Sequence, residues 1–170
     1  MILRLFILLT LLPNFTAAQD VKVIHGKEFL GVIFPTEYDL PCQENPDRQY
    51  RFTPSLEQIQ TLEESLKAHI KIINSSKPNQ GKHYGPIVHK NLQKYVRQYV
   101  GYIDKNGELI VYVNCLWKRD TQPSQRYGKA FLESWEDEWQ IVFDGGSYFW
   151  QIRYNLNTNE FFGFSVNGIA

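Results

Sequence analysis

Apolar residues recur at spacings of three and four at Leu56, Ile59, Leu62, Leu66, Ile70 and Ile73, while Glu57, Glu63, Glu64, Lys67 and Lys71 fall elsewhere. That period draws one apolar stripe along a helix from Pro54 to Ile73. Thr53 and Pro54 read as its N-cap and first helical residue, and Glu57 sits in the first turn where a carboxylate complements the dipole. Asn74, Ser75, Ser76 and Pro78 end it, and SKPNQGKHYGP continues as a polar loop.

Beyond that loop the period falls to two. Tyr95 to Ile103 and Leu109 to Trp117 are rich in β-branched and aromatic residues and flank DKNG, the signal of a hairpin. Leu109, Val111, Val113, Cys115 and Trp117 share one face of the second strand, the expected core face, opposite Ile110, Tyr112, Asn114 and Leu116. Trp139, Ile141 and Phe143 alternate into DGGS, Tyr148, Trp150, Ile152 and Tyr154 alternate out, and NLNTNE turns the chain into Phe162, Phe164 and Val166. The expected fold is α+β: one long amphipathic helix packed on a curved antiparallel meander of about four to five strands, within a single domain over 53–170. Residues 19–52, broken by Pro35, Pro41 and Pro46, read as an irregular segment with an edge strand near Leu30 to Phe34.

The first residues change where this domain is expected to work. Arg4, the apolar run Leu5 to Leu12, and the small residues Thr16, Ala17 and Ala18 have the layout of a cleavable secretory signal at 1–18. The product is expected to be secreted or periplasmic, with no membrane span after cleavage. The chain has 18 basic and 18 acidic residues; without Arg4 the balance is 17 to 18. No overall field recruits nucleic acid, although a local patch survives. In an oxidising compartment Cys42 and Cys115 are candidates for one disulfide, worth about 4 kcal/mol on a chain-entropy basis. The alternative is two independent thiols.

Candidate chemistry is sparse. His83 and His89 lie six apart without a carboxylate or cysteine nearby, which does not match metal-ligand spacing. Ser147 follows two glycines, but G-x-S-x-G is absent. No catalytic, cofactor or metal residue is assigned. Trp135 and Trp139 flank Glu136, Asp137 and Glu138, and a tryptophan beside carboxylates is a candidate ligand surface for a sugar ring. Tyr95, Tyr99, Tyr102, Tyr112, Phe149 and Phe161 are more aromatics than one face needs, so an uncovered outer face would be a partner or self-association surface.

YVRQYVGYIDKNGELIVYVNC and VFDGGSYFWQIRYNLNTNEFFGFSVNGIA resemble an uncharacterised family of small exported proteins from Bacteroidota, over roughly the carboxy-terminal half. The matching positions are Arg97 to Ile103, Asn106 to Gly107, Asn114 to Cys115, Asp144 to Gly146, and Val166 to Ala170. The resemblance implies export and no activity, and KRDTQPSQRYGKAFLESWEDE departs from the pattern. The layout is also similar to the cystatin-like superfold. The inhibitory Q-x-V-x-G hairpin of cystatins is not matched, since QYVG at Gln98 to Gly101 is one residue short and lies mid-strand. Three functions follow: an exported non-catalytic binding or structural domain, a small glycan-active or hydrolytic protein using Trp135 to Trp139, or an inhibitor or immunity-like protein presenting Ser76 to Pro86 or Lys118 to Gly128.

Overall fold

A computed structural model describes residues 21–41, 47–124 and 130–169. The signal segment and Cys42 lie outside the described residues. Helix α1 spans Leu56–Ile73. Its N-cap is Ser55, two residues beyond Thr53, because Ser55 and Gln58 close a reciprocal capping box: Gln58 N–H donates to Ser55 Oγ at 3.2 Å and Ser55 N–H to Gln58 Oε1 at 2.8 Å. Ile59, Leu62, Leu66 and Ile70 are buried as the stripe requires, and Glu63 is buried with them, whereas Leu56 is exposed.

The strands are β1 (Lys22–His25), β2 (Leu30–Ile33), β3 (Arg51–Phe52), β4 (Tyr95–Ile103), β5 (Leu109–Trp117), β6 (Phe149–Asn155) and β7 (Glu160–Val166). They form one mixed sheet ordered β1-β2-β4-β5-β6-β7, with β3 on the same side of β4 as β2 but farther along. The meander expectation therefore holds for β4 to β7 and fails for the amino-terminal third. Strand β2 is not an edge; it runs parallel to β4, pairing Leu30 with Val96 through Ile33 with Tyr99. Parallel neighbours need a long crossover, and α1 is that crossover, which seats the helix on one sheet face.

Both faces are covered. On the helix side, Ile59, Leu62, Leu66 and Ile70 meet Tyr95, Tyr99, Val111, Val113, Cys115, Trp150, Ile152 and Tyr154. On the other, Val32, Phe34, Val96, Val100, Leu116 and Phe149 pack under Leu132, Trp135 and Trp139. Tyr95 and Tyr99 thus face the helix, and Phe149 lies beneath the outer layer, so the outer sheet face is covered and the condition for an aromatic partner surface there is not met. Each large side chain so buried contributes about 1.5–3 kcal/mol.

Residues 139–143 form no strand. Their backbone is instead held by side-chain amides: Gln98 and Asn114 are cross-strand neighbours on β4 and β5, and Gln151 beside them on β6 orients Asn167 by donating to its Oδ1 at 3.0 Å. Gln98 Nε2 donates to the carbonyls of Trp135 and Glu138, both at 2.7 Å, and Asn114 Nδ2 donates to Gln140 O at 2.9 Å. Asn167 Nδ2 donates to the Val142 carbonyl and, at 3.2 Å, to that of Asp144. Side-chain donors therefore satisfy carbonyls that a strand would have paired. In β7, Ile152 faces two residues where the register slips between Gln151 and Arg153, and Gly163 takes φ +61° there. This bulge turns Phe161 and Phe164 onto the helix side together and leaves Phe162 exposed.

Cys115 is a free thiol, fully buried between β5 and the helix. The structure holds no disulfide among the described residues. Burial pushes the Cys115 thiol far up, so it stays protonated and unreactive.

Candidate functional site

The loop from Ser75 to Pro86 leaves the end of α1 and returns to β4 through two single-turn 3-10 segments, Val88–Lys90 and Leu92–Lys94. Lys77, Asn79 and Lys82 adopt φ of +48°, +50° and +42°, alongside Gly81 and Gly85 at +83° and +106°. A left-handed non-glycine residue costs about 1 kcal/mol or more and persists only where its surroundings enforce it. Here the enforcement is visible on both sides of the loop.

On the helix side the hub is Asn74, completely buried. Its Nδ2 donates to Gln80 Oε1 at 2.9 Å and lies 3.2 Å from His89 Nδ1, while Gln80 Nε2 donates back to Asn74 Oδ1. Val88 N–H closes the ring on Gln80 Oε1 at 2.9 Å. On the sheet side Ser147 Oγ donates to Pro86 O at 2.6 Å, Ser147 N–H to Tyr84 O at 3.1 Å, and Asn79 Nδ2 to Asn167 O at 2.9 Å. Ser147 is fixed in turn, because Tyr95 Oη donates to its carbonyl at 2.6 Å. Within the loop, Gly81 N–H donates to Gly85 O at 2.9 Å and Tyr84 N–H to Gly81 O at 2.8 Å. What the clamp presents outward is Lys77, Lys82, His83 and Tyr84.

The electrostatics of this end are one-signed. From 65 to 103 the sequence contains Lys67, Lys71, Lys77, Lys82, Lys90, Lys94 and Arg97 and no Asp or Glu. Lys71, Lys77, Lys82 and Lys90 take part in no ion pair among the described residues. Their field reaches His89: burial first, then Lys77, Lys90 and Lys71, hold its imidazole below the ordinary histidine value. The unfolded chain consequently takes up that proton first as pH falls. Stability from this group is complete above the unfolded histidine value and is lost as pH drops through it toward the folded one. Protonation also turns Nδ1 into a donor facing the Asn74 amide. A plot of melting temperature against pH should therefore fall in the window just below neutrality, and His89→Gln should flatten that fall; an unchanged slope in the variant would contradict the assignment.

Beside the loop lies a cleft of about 940 Å³ between α1 and the β1–β2 turn, lined by Phe29, Glu63, Lys67, His89, Leu92 and Arg97 among others. An ion pair from Lys67 to Glu28 joins its two walls. Its floor is a buried charge pair: Arg97 Nε lies 2.8 Å from Glu63 Oε1, which also accepts from Tyr99 Oη at 2.9 Å. Arg97 further donates to Tyr95 O at 2.7 Å and Leu92 O at 3.1 Å. Burial pushes the Glu63 carboxyl above the ordinary carboxylate range, with Arg97 and Tyr99 pulling against it. The charges on the cleft lining cancel, with Lys27, Lys67 and Arg97 set against Glu28, Glu63 and Glu64. Glu63 and Arg97 are committed to holding helix to sheet.

The candidate ligand surface at Trp135, Glu136, Asp137 and Glu138 is dispersed. Trp135 is 5% and Trp139 8% exposed, both part of the outer layer, and Trp139 N–H donates to Tyr38 Oη at 3.0 Å. Neither indole has a free face for a sugar ring. Glu136 and Asp137 face solvent, and Glu138 accepts from Ser134 Oγ at 2.6 Å. Ser147 is a buried clamp donor, and His83 and His89 differ in role, one exposed and one fixed against Asn74. Among the described residues no group of three or more His, Cys, Asp or Glu is placed to hold a metal ion, and no helix is long and apolar enough to cross a membrane. The basic surface went unread in the sequence because balanced totals conceal it; the acid-free run of residues 65–103 was the available signal.

Comparison with protein-family models, with curated proteins and with solved structures returns no significant match to this chain.

Proposed function

We propose that this chain is an exported, non-catalytic binding domain that engages a protein partner through the clamped loop Ser75 to Pro86. One observation carries the reading: a loop with three non-glycine residues at positive φ is pinned at Gln80 to the Asn74 cap of the helix, and at Asn79, Tyr84 and Pro86 to Asn167 and Ser147 on the sheet side. A loop ordered during folding does not lose that entropy again on association, which is how rigid inhibitor loops gain affinity. The inhibitor or immunity-like form of the reading is favoured because the loop exposes Lys77, Lys82, His83 and Tyr84 while its backbone is bonded from both sides. The kinship to small exported Bacteroidota proteins belongs to the same proposal. It rests on the sequence motifs alone, of which Asn114 and Asn167 hold the outer layer and Gly146 lies under Tyr84.

The test is a photo-crosslinking amino acid placed at His83, used on the exported fraction of the source cell. A single adduct should form that excess unlabelled protein competes away and that a variant with residues 76–85 replaced by a glycine-serine linker does not. Adducts insensitive to both competitors, or none, would remove the loop from the binding surface.

A further inference from the structure

Resting on the loop reading, we infer that the partner's contact surface is an acidic protein face, with apolar ground at its centre. His89 lies against Asn74, the cap of α1; Lys71 stands in the last turn of that helix, Lys90 adjoins His89, and Lys77 and Lys82 stand on the loop between, all four exposed. The neighbouring end of the sheet is mixed: Lys94 lies over Trp117 at 5.9 Å and Arg119 over Tyr148 at 5.9 Å, while Asp144 and Glu133 are exposed carboxylates there, so the one-signed patch is the loop with the end of α1. Tyr95 pairs with Trp117, so the turn after β5 belongs to this end, and its carboxylate, Asp120, lies 3.6 Å from Arg119 Nε. A field of this kind speeds encounter with an acidic face and rejects basic ones.

Two features favour a shaped protein face over a flexible polyanionic chain. Tyr84 is 48% and Ile72 74% exposed amid the lysines, an apolar element that a sulfated or phosphorylated polymer has no use for. A loop fixed in one shape suits a shaped surface, while a flexible polyanion needs only charge.

The full chain is titrated, by fluorescence anisotropy, with a labelled peptide of alternating glutamate and tyrosine, and in parallel with a heparin oligosaccharide and with phosphatidylglycerol vesicles. The peptide should bind, with affinity falling at least about tenfold between low and physiological salt as screening sets in. Lys77→Glu/Lys82→Glu should weaken it about tenfold or more at an unchanged melting temperature, and Lys105→Glu, in the turn at the opposite end of the sheet, should not. Tighter binding to heparin or to vesicles, or equal peptide binding by the double variant, would overturn the inference. If the His83 adduct forms unchanged in the Lys77→Glu/Lys82→Glu background, the loop reading stands and the acidic partner falls.

Discussion

Glu63→Gln is expected to cost about 3–5 kcal/mol of stability, the range for breaking a buried ion pair by removing one partner. The substitution is nearly isosteric and keeps an acceptor for Tyr99, so packing is not the cause. The cost arises because the Arg97 guanidinium, 1% exposed, is left beside two backbone carbonyls with no counter-charge. For a chain of this size that corresponds to a fall in melting temperature of roughly 6–20 °C. Glu63→Leu/Arg97→Met/Tyr99→Phe should recover most of the loss, since removing the whole buried set also removes its desolvation cost. Urea and thermal unfolding read both; a loss under about 1 kcal/mol for Glu63→Gln would mean that the pair does not hold helix to sheet.

Gly146→Ala should damage the loop selectively. Gly146 has φ +54°, and an added Cβ would lie 2.2 Å from the Tyr84 carbonyl oxygen, a backbone atom with no rotamer to escape through. Overpacking and the left-handed conformation together cost about 2–4 kcal/mol. The chain can relieve this by withdrawing the 79–86 backbone, which gives up the Ser147 bonds to Tyr84 and Pro86. Amide exchange in residues 79–86 should accelerate far more than in β5, and the His83 adduct should weaken. Uniform acceleration across the sheet, or none, would show that Gly146 does not seat the loop.

How much of this was legible depended on whether a residue's partner was near in sequence. Local period placed α1 within two residues and β4 and β5 at their observed bounds. The parallel pairing of β2 was not legible, because four residues of strand carry no record of their neighbour. Trp139, Ile141 and Phe143 alternate like a strand, yet Phe143 is 82% exposed and the segment is hung from the side-chain amides of Gln98 on β4, Asn114 on β5 and Asn167 just past β7. Only registration of Gln98, Asn114 and Gln151 across the sheet explains it. Glu63 looked like a solvated helix residue because Arg97, the charge that buries it, lies on a strand beyond the loop. The composition of Ser76 to Pro86 announced a loop, while its order comes from Asn74, Ser147 and Asn167, two of them distant in sequence.

Native-state hydrogen exchange at Gly81, Tyr84, Val88 and Ser147 reads the clamp directly, since each of these amides donates within it or to it. Exchange well below the rates of an unstructured chain, by opening that also exposes neighbouring β4 amides, is the result expected of a loop built rigid for binding. Exchange of all four at unstructured-chain rates while β4 and β5 stay protected would contradict it.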